Sequence, residues 1–231
     1  MLFRSKYLKI PIPRLGKRDT GPSTIMMNLF KLHSNPDQLY GYDRRIEIPE
    51  FAWEMTDDKQ RKKMASVWIR DAKTAVWYAF HYLKKRWPEA EPIIAQDAAW
   101  AYAYLKEFRD KRWPLAEPAI SKNPSTGFWY AKNVLHRRWP EAEPAIATDP
   151  VTAVGYARDV IQGPWPPGEA AIAREGDMAL WYAQHVIKGP WPPGEAAIAN
   201  YWEWAGQYAR DVLHDPNPET WARRYKARHQ S

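Results

Sequence analysis

The sequence predicts an all-α chain, an α-solenoid of about six 26-residue two-helix repeats closed by divergent caps. Three observations point there. Trp-Pro recurs at Trp87-Pro88, Trp113-Pro114, Trp139-Pro140, Trp165-Pro166 and Trp191-Pro192, an unbroken step of 26 residues. Further columns keep the step: Glu91, Glu117, Glu143, Glu169 and Glu195; Ile94, Ile120, Ile146, Ile172 and Ile198; Tyr104, Tyr130, Tyr156, Tyr182 and Tyr208. A fixed period with several matching columns is the mark of stacked repeats. Inside the period, Ala153, Ala157, Val160 and Ile161 fall at i, i+4, i+7 and i+8, one face of a helix, and Ala179, Ala183, Val186 and Ile187 repeat the pattern.

Each period reads as two helices. The first opens at Trp-Pro, where proline is pre-organised for a first turn and acidic residues suit the helix dipole. Pro144, still near that turn, lets the start slip a few residues. The second opens after Asn123-Pro124 or Asp149-Pro150, an N-cap followed by proline. Gly163-Pro164 and Gly189-Pro190 give a stop signal in two units. No run alternates with period two, so no strand is expected. One pair of helices this short cannot bury its face alone, and stacking neighbours supplies a continuous core. The small alanines let adjacent axes approach to roughly 8–10 Å.

The ends differ from the middle. Residues 1–33 hold seven Lys/Arg against Asp19 alone, with Pro11, Pro13 and Pro22, and read as a basic arm. Residues 34–60 read as a divergent N-terminal cap, 61–216 as the repeat array and 217–231 as a basic C-terminal cap. Tyr78 places an earlier unit from about Arg61 without its Trp-Pro, and Asn217-Pro218 marks a truncated last one. The array between 87 and 216 has 12 Lys/Arg and 17 Asp/Glu, so the overall +7 comes from the arm, the 61–86 unit and the C-terminus.

Several function classes lose support. The chain has no cysteine, which removes disulfides, thiolate metal sites and cysteine nucleophiles. No stretch approaches the roughly 20 apolar residues of a membrane span, and no secretory signal opens the chain. The expected setting is the cytoplasm, without a membrane partner. There is no glycine-rich phosphate loop, nucleophile elbow or His-Glu-x-x-His. We therefore expect no enzyme activity, no cofactor and no metal.

Fourteen tryptophans ask for a reason. At about 100° per residue, Trp77, Trp129 and Trp181 point away from the alanine face of the second helix, and Trp100 and Trp204 lie one turn earlier on the same side. An outward aromatic wall is expected, with a notch at Gly155 between Trp129 and Trp181. Tryptophan anchors binding hot spots. The competing expectation is that these rings pack between neighbouring units. His81 and His185 sit one turn from Trp77 and Trp181, where a ligand contact or simple solvation is possible. The Tyr column suggests packing with each hydroxyl finding a partner. The Glu column suggests helix-start electrostatics or a hydrogen bond to a neighbour. Lys85-Arg86, Lys111-Arg112 and Arg137-Arg138 form a basic ladder that suits phosphates, an acidic protein surface or helix C-termini.

The phrase Arg-Trp-Pro-Glu-Ala-Glu-Pro, at 86–92 and 138–144, resembles Trp-Pro repeats of bacteriophage and microbial proteins of unassigned function. The likeness takes in Asn35-Pro36, the 40–45 stretch and Glu47-Ile48-Pro49, and spans about Asn28 to Pro218. It implies a helical array and a phage origin, and nothing about mechanism. From Trp165 onward Pro-Pro-Gly-Glu replaces Pro-Glu-Ala-Glu, which should move the local helix start and leave the fold intact. The functional expectation is a binding or sequestration scaffold for a protein, peptide or small ligand, with an unknown host or phage protein as partner. A nucleic-acid binder using arm, ladder and aromatics is the alternative.

Overall fold

The structure, a computed structural model, describes residues 71–108 and 111–229. The arm and N-terminal cap expected over 1–33 and 34–60 lie outside the described residues. The described ones all belong to one unit of the chain, Tyr40–Ser231. They are helical, with no strand among them.

Short and long helices alternate with regular spacing. The short ones are α2 (Glu91–Ile94), α4 (Glu117–Ile120), α6 (Glu143–Ile146), α8 (Pro166–Ile172) and α10 (Pro192–Ile198). The longer ones, counting the π-helical continuation that follows four of them, are α1 (Ala72–Tyr78), α3 (Ala98–Phe108), α5 (Pro124–Tyr130), α7 (Pro150–Tyr156), α9 (Gly176–Tyr182) and α11 (Trp202–Asp211). After the turn Pro218–Thr220, α12 (Trp221–His229) closes the chain. Packing is between sequence neighbours and next neighbours. Each long helix lies against the short helix that follows it, and α3, α5, α7, α9 and α11 pack in succession.

The long helices start where their caps dictate. Asp71, Asn123 and Asp149 each accept the backbone N–H three residues on, from Thr74, Thr126 and Thr152 at 2.8, 3.0 and 2.8 Å. Asp97 accepts from Ala99 and Trp100. Each such bond satisfies an otherwise orphaned helix-end donor. The short helices start at Glu in three units and at Pro in the two Pro-Pro-Gly-Glu units. Pro92, Pro118 and Pro144 lack the N–H that would donate back to the first turn. In the last two units that position is Ala170 or Ala196, and the helix opens three residues earlier.

The stop signal needs correction. Four long helices widen into π-helical ends: Ala79–Leu83, Ala131–Leu135, Ala157–Ile161 and Ala183–Ile187. The reversal that follows is left-handed, at Lys84, His136, Gln162 and Lys188, with φ between 49° and 61°. His214 does the same after α11. No described glycine has positive φ, so Gly163 and Gly189 do not make the turn. At these first four positions the reversal falls three residues before a Trp-Pro. Side-chain residues pay for this conformation with roughly 1–2 kcal/mol each.

The core is columnar. Ile94, Ile120, Ile146, Ile172 and Ile198 are fully buried, as are the Trp-Pro tryptophans or nearly so. The Gly168 position illustrates the closeness of packing. A Cβ there would lie 2.6 Å from the Trp165 ring and 2.9 Å from Ala153.

Candidate recognition surface

The Trp, Tyr and Glu columns form one repeated clip. In each of the five units that open at Trp-Pro the tyrosine hydroxyl accepts the backbone N–H of the Trp 17 residues earlier: Trp87 to Tyr104, Trp113 to Tyr130, Trp139 to Tyr156, Trp165 to Tyr182 and Trp191 to Tyr208, at 2.6–2.8 Å. The same hydroxyl donates to the carboxylate of Glu91, Glu117, Glu143, Glu169 or Glu195 at 2.8–3.3 Å. Its ring meanwhile packs on the tryptophan ahead, as in Tyr130–Trp139 and Tyr156–Trp165, both at 4.9 Å. Tyr208 has no Trp-Pro ahead of it, and Trp221 takes that place at 5.2 Å. The tyrosines are fully buried. Packing explains this column, and the glutamate column works by hydrogen bonding rather than by dipole alone.

The basic ladder divides into two rows. Arg86, Arg112 and Arg138 are committed to Glu91, Glu117 and Glu143 through paired Nε and Nη2 donors at 2.6–2.9 Å. In these three arginines the ladder therefore serves the clip, a partner that neither the phosphate nor the helix-end expectation named. Lys85, Lys111 and Arg137 form the exposed row.

These pairings fix a pH response. The guanidinium of Arg112 or Arg138 holds the Glu117 or Glu143 carboxyl below its ordinary value, against the opposing pull of burial. Such a group adds stability that is complete above its unfolded pKa of about 4.3 and lost as pH falls through the lower folded value. Burial raises the column tyrosines, Tyr104 to about 12 and Tyr130, Tyr156, Tyr182 and Tyr208 beyond that. Their contribution is complete below the unfolded pKa of about 10 and lost as pH rises through the folded value. Urea midpoints should therefore be flat from about pH 5 to 9 and fall on both sides. Arg112→Ala with Arg138→Ala should shrink the acid limb, leaving the share of Asp159, and leave the alkaline limb. An unchanged acid limb in that variant refutes the assignment.

The expected aromatic wall is only partly open. Trp77, Trp100, Trp129 and Trp204 are half-buried. Trp181 is 7% exposed, and Gly155 is buried. The notch between Trp129 and Trp181 is thus filled, which corrects the sequence reading. The long helices bury a second face against their neighbours. Trp204 shows how: its ring lies 2.8 Å from where a Cβ on Gly176, at the start of the preceding long helix, would fall. The side chain of His81 lies outside the described residues. His185 stacks on Trp181 at 4.3 Å, and its Nδ1–H donates to the Trp181 carbonyl at 3.0 Å.

A charged seam runs over the Gly155 region. Lys132 lies 5.0 Å over the Trp129 ring and pairs with Asp159 of the next long helix at 2.7 Å. Arg158 also bonds Asp159, through Nη2 at 2.6 Å and through Nε, and sits 5.1 Å over the Trp181 ring. Burial would raise the Asp159 carboxyl, and the bonds from Arg158 and Lys132 outweigh it and hold the carboxyl low. Asn133–Tyr102 and Gln184–Asp211 link other neighbouring pairs of long helices.

Sequence reasoning missed the most open aromatics. Trp202 is 81% exposed and Tyr201 is 56% exposed, with Tyr201 packed on Trp204 at 4.2 Å. The available signal was columnar: Trp202 shares its position with Ala98, Pro124, Pro150 and Gly176, the first residue of each long helix. Among the described residues no group of His, Asp and Glu is arranged to hold a metal ion, and no helix is long and apolar enough to cross a membrane. No family model, curated protein or solved structure matches the chain.

Proposed function

We propose that the chain is an α-solenoid of about six 26-residue units working as a non-enzymatic binding scaffold, with a protein partner docking on the long-helix surface. The carrying observation is aromatic surface at both ends of the described array: half-buried Trp77, Trp100 and Trp129 in three consecutive units, and Tyr201 with the 81% exposed Trp202 in the last. Large rings on a rigid framework give contact area at low entropic cost. The recurring clip supplies that rigidity. The phage resemblance supports a host protein as the partner, by analogy only.

Affinity capture from a bacterial lysate with Trp202→Ala beside wild type tests the reading. Trp202 is too exposed to support the fold, so the variant should keep its melting temperature and lose the captured protein. Equal capture by both removes the aromatic surface as the site.

The nucleic-acid alternative keeps one supporting observation, the exposed row of Lys85, Lys111 and Arg137. Binding through phosphates weakens steeply with salt. Indifference to single-stranded DNA and RNA at low salt eliminates it.

A further inference from the structure

The clip is not the same in all units. In three of them the chain supplies a guanidinium to the clip carboxylate, from the residue just before Trp-Pro. In the last two that residue is Pro164 or Pro190. Glu169 and Glu195 accept one hydrogen bond each, from Tyr182 and Tyr208 to Oε1 at 2.9 Å. Neither is in an ion pair among the described residues. Tyr225 of α12 lies near Glu195 and adds no cation.

The sister units show what such a carboxylate holds. Glu117 and Glu143 take Arg112 and Arg138 through two parallel N–H bonds onto both oxygens, while the tyrosine stays on Oε1. Forked donation of this kind suits arginine and not lysine, whose ammonium is a point charge. The chain beside that position is open: a Cβ at Gly163 or Gly189, one residue before Pro164 or Pro190 and equivalent to Arg137, would meet nothing within 4 Å. The charge balance agrees: residues 163–216 carry three Lys/Arg against seven Asp/Glu.

We propose that Glu169 and Glu195 form a two-point site for an arginine-bearing peptide segment of a partner, whose guanidinium groups take the positions that Arg112 and Arg138 fill within the chain. The site lies at the Trp-Pro edge of the last two units. It rests on the equivalence of the units in the proposed solenoid and does not involve Trp202.

Fluorescence anisotropy with labelled nona-arginine tests it on the full chain. Binding to wild type is expected. Glu169→Gln with Glu195→Gln should weaken it about tenfold, the scale of losing two charge-assisted pairs on a partly exposed surface. Pro164→Arg with Pro190→Arg should weaken it similarly while keeping both carboxylates, because the chain then supplies its own guanidinium groups. Nona-lysine should bind several-fold less tightly than nona-arginine. Glu117→Gln should leave the affinity unchanged, with circular dichroism confirming that each variant is folded. Wild-type affinity in the Pro164→Arg, Pro190→Arg protein, or equal affinity for the two peptides, overturns the proposal. Trp202→Ala should bind nona-arginine normally, so failure of the aromatic surface reads out separately.

Discussion

Trp181→Ala should destabilise the protein by about 3–5 kcal/mol, the usual cost of removing a buried tryptophan. In a chain of this size that lowers the melting temperature by roughly 10 °C. The ring is 7% exposed, stacked on His185 and covered by Arg158 from the preceding long helix. Deleting it opens a cavity and strips Arg158 of its aromatic neighbour. Trp129→Ala is the matched comparison. Its ring is half-buried and touches Lys132 and Phe128, and its loss should cost about 1 kcal/mol, mostly the cation–π and edge contacts. Thermal melts of the two variants side by side decide the matter. Equal losses would mean that the column is uniformly packed or uniformly open, in conflict with the seam described above.

Tyr156→Phe keeps the ring against Trp165 and removes only the hydroxyl. The buried Trp139 N–H then loses its acceptor and Glu143 loses a donor. An orphaned buried amide costs about 1–3 kcal/mol, although the phenylalanine is nearly isosteric. Arg138 remains on Glu143, so the carboxylate is not stranded. In Tyr182→Phe the partner Glu169 has no arginine, and the loss should be equal or larger. Urea denaturation measures both, and amide exchange at Trp139 should quicken in the first variant. A change below about 0.3 kcal/mol would mean that water replaces the hydroxyl, an ordered water being nearly as good a partner.

Much of this was legible in the residues. Helix identity followed from spacing, and the caps at Asn123 and Asp149 followed from side-chain chemistry. The tyrosine column announced a satisfied hydroxyl because a buried phenol needs a partner. Other features were not legible. The left-handed residues are Lys, His and Gln, none of which signals positive φ as glycine does, and the adjacent Gly163 and Gly189 point to the wrong position. The widened helix ends leave no pattern in a period of 26. Placing Trp181 by rotation about one helix treats the far side as solvent, whereas Arg158 and His185 close over it. Trp202 was passed over because it stands at a helix start, outside the periodic stripe. The change from Arg86, Arg112 and Arg138 to Pro164 and Pro190 was legible before Trp-Pro, but that this position serves the glutamate column needed coordinates.

Each tyrosine belongs to two units, its oxygen tied backward to one indole's backbone and its ring pressed forward on the next. Detaching the last unit therefore breaks one such stitch, while opening the middle breaks two. From the C-terminal side, loss of structure should travel inward like an unpicked hem, Tyr208 letting go before Tyr182 and Tyr156.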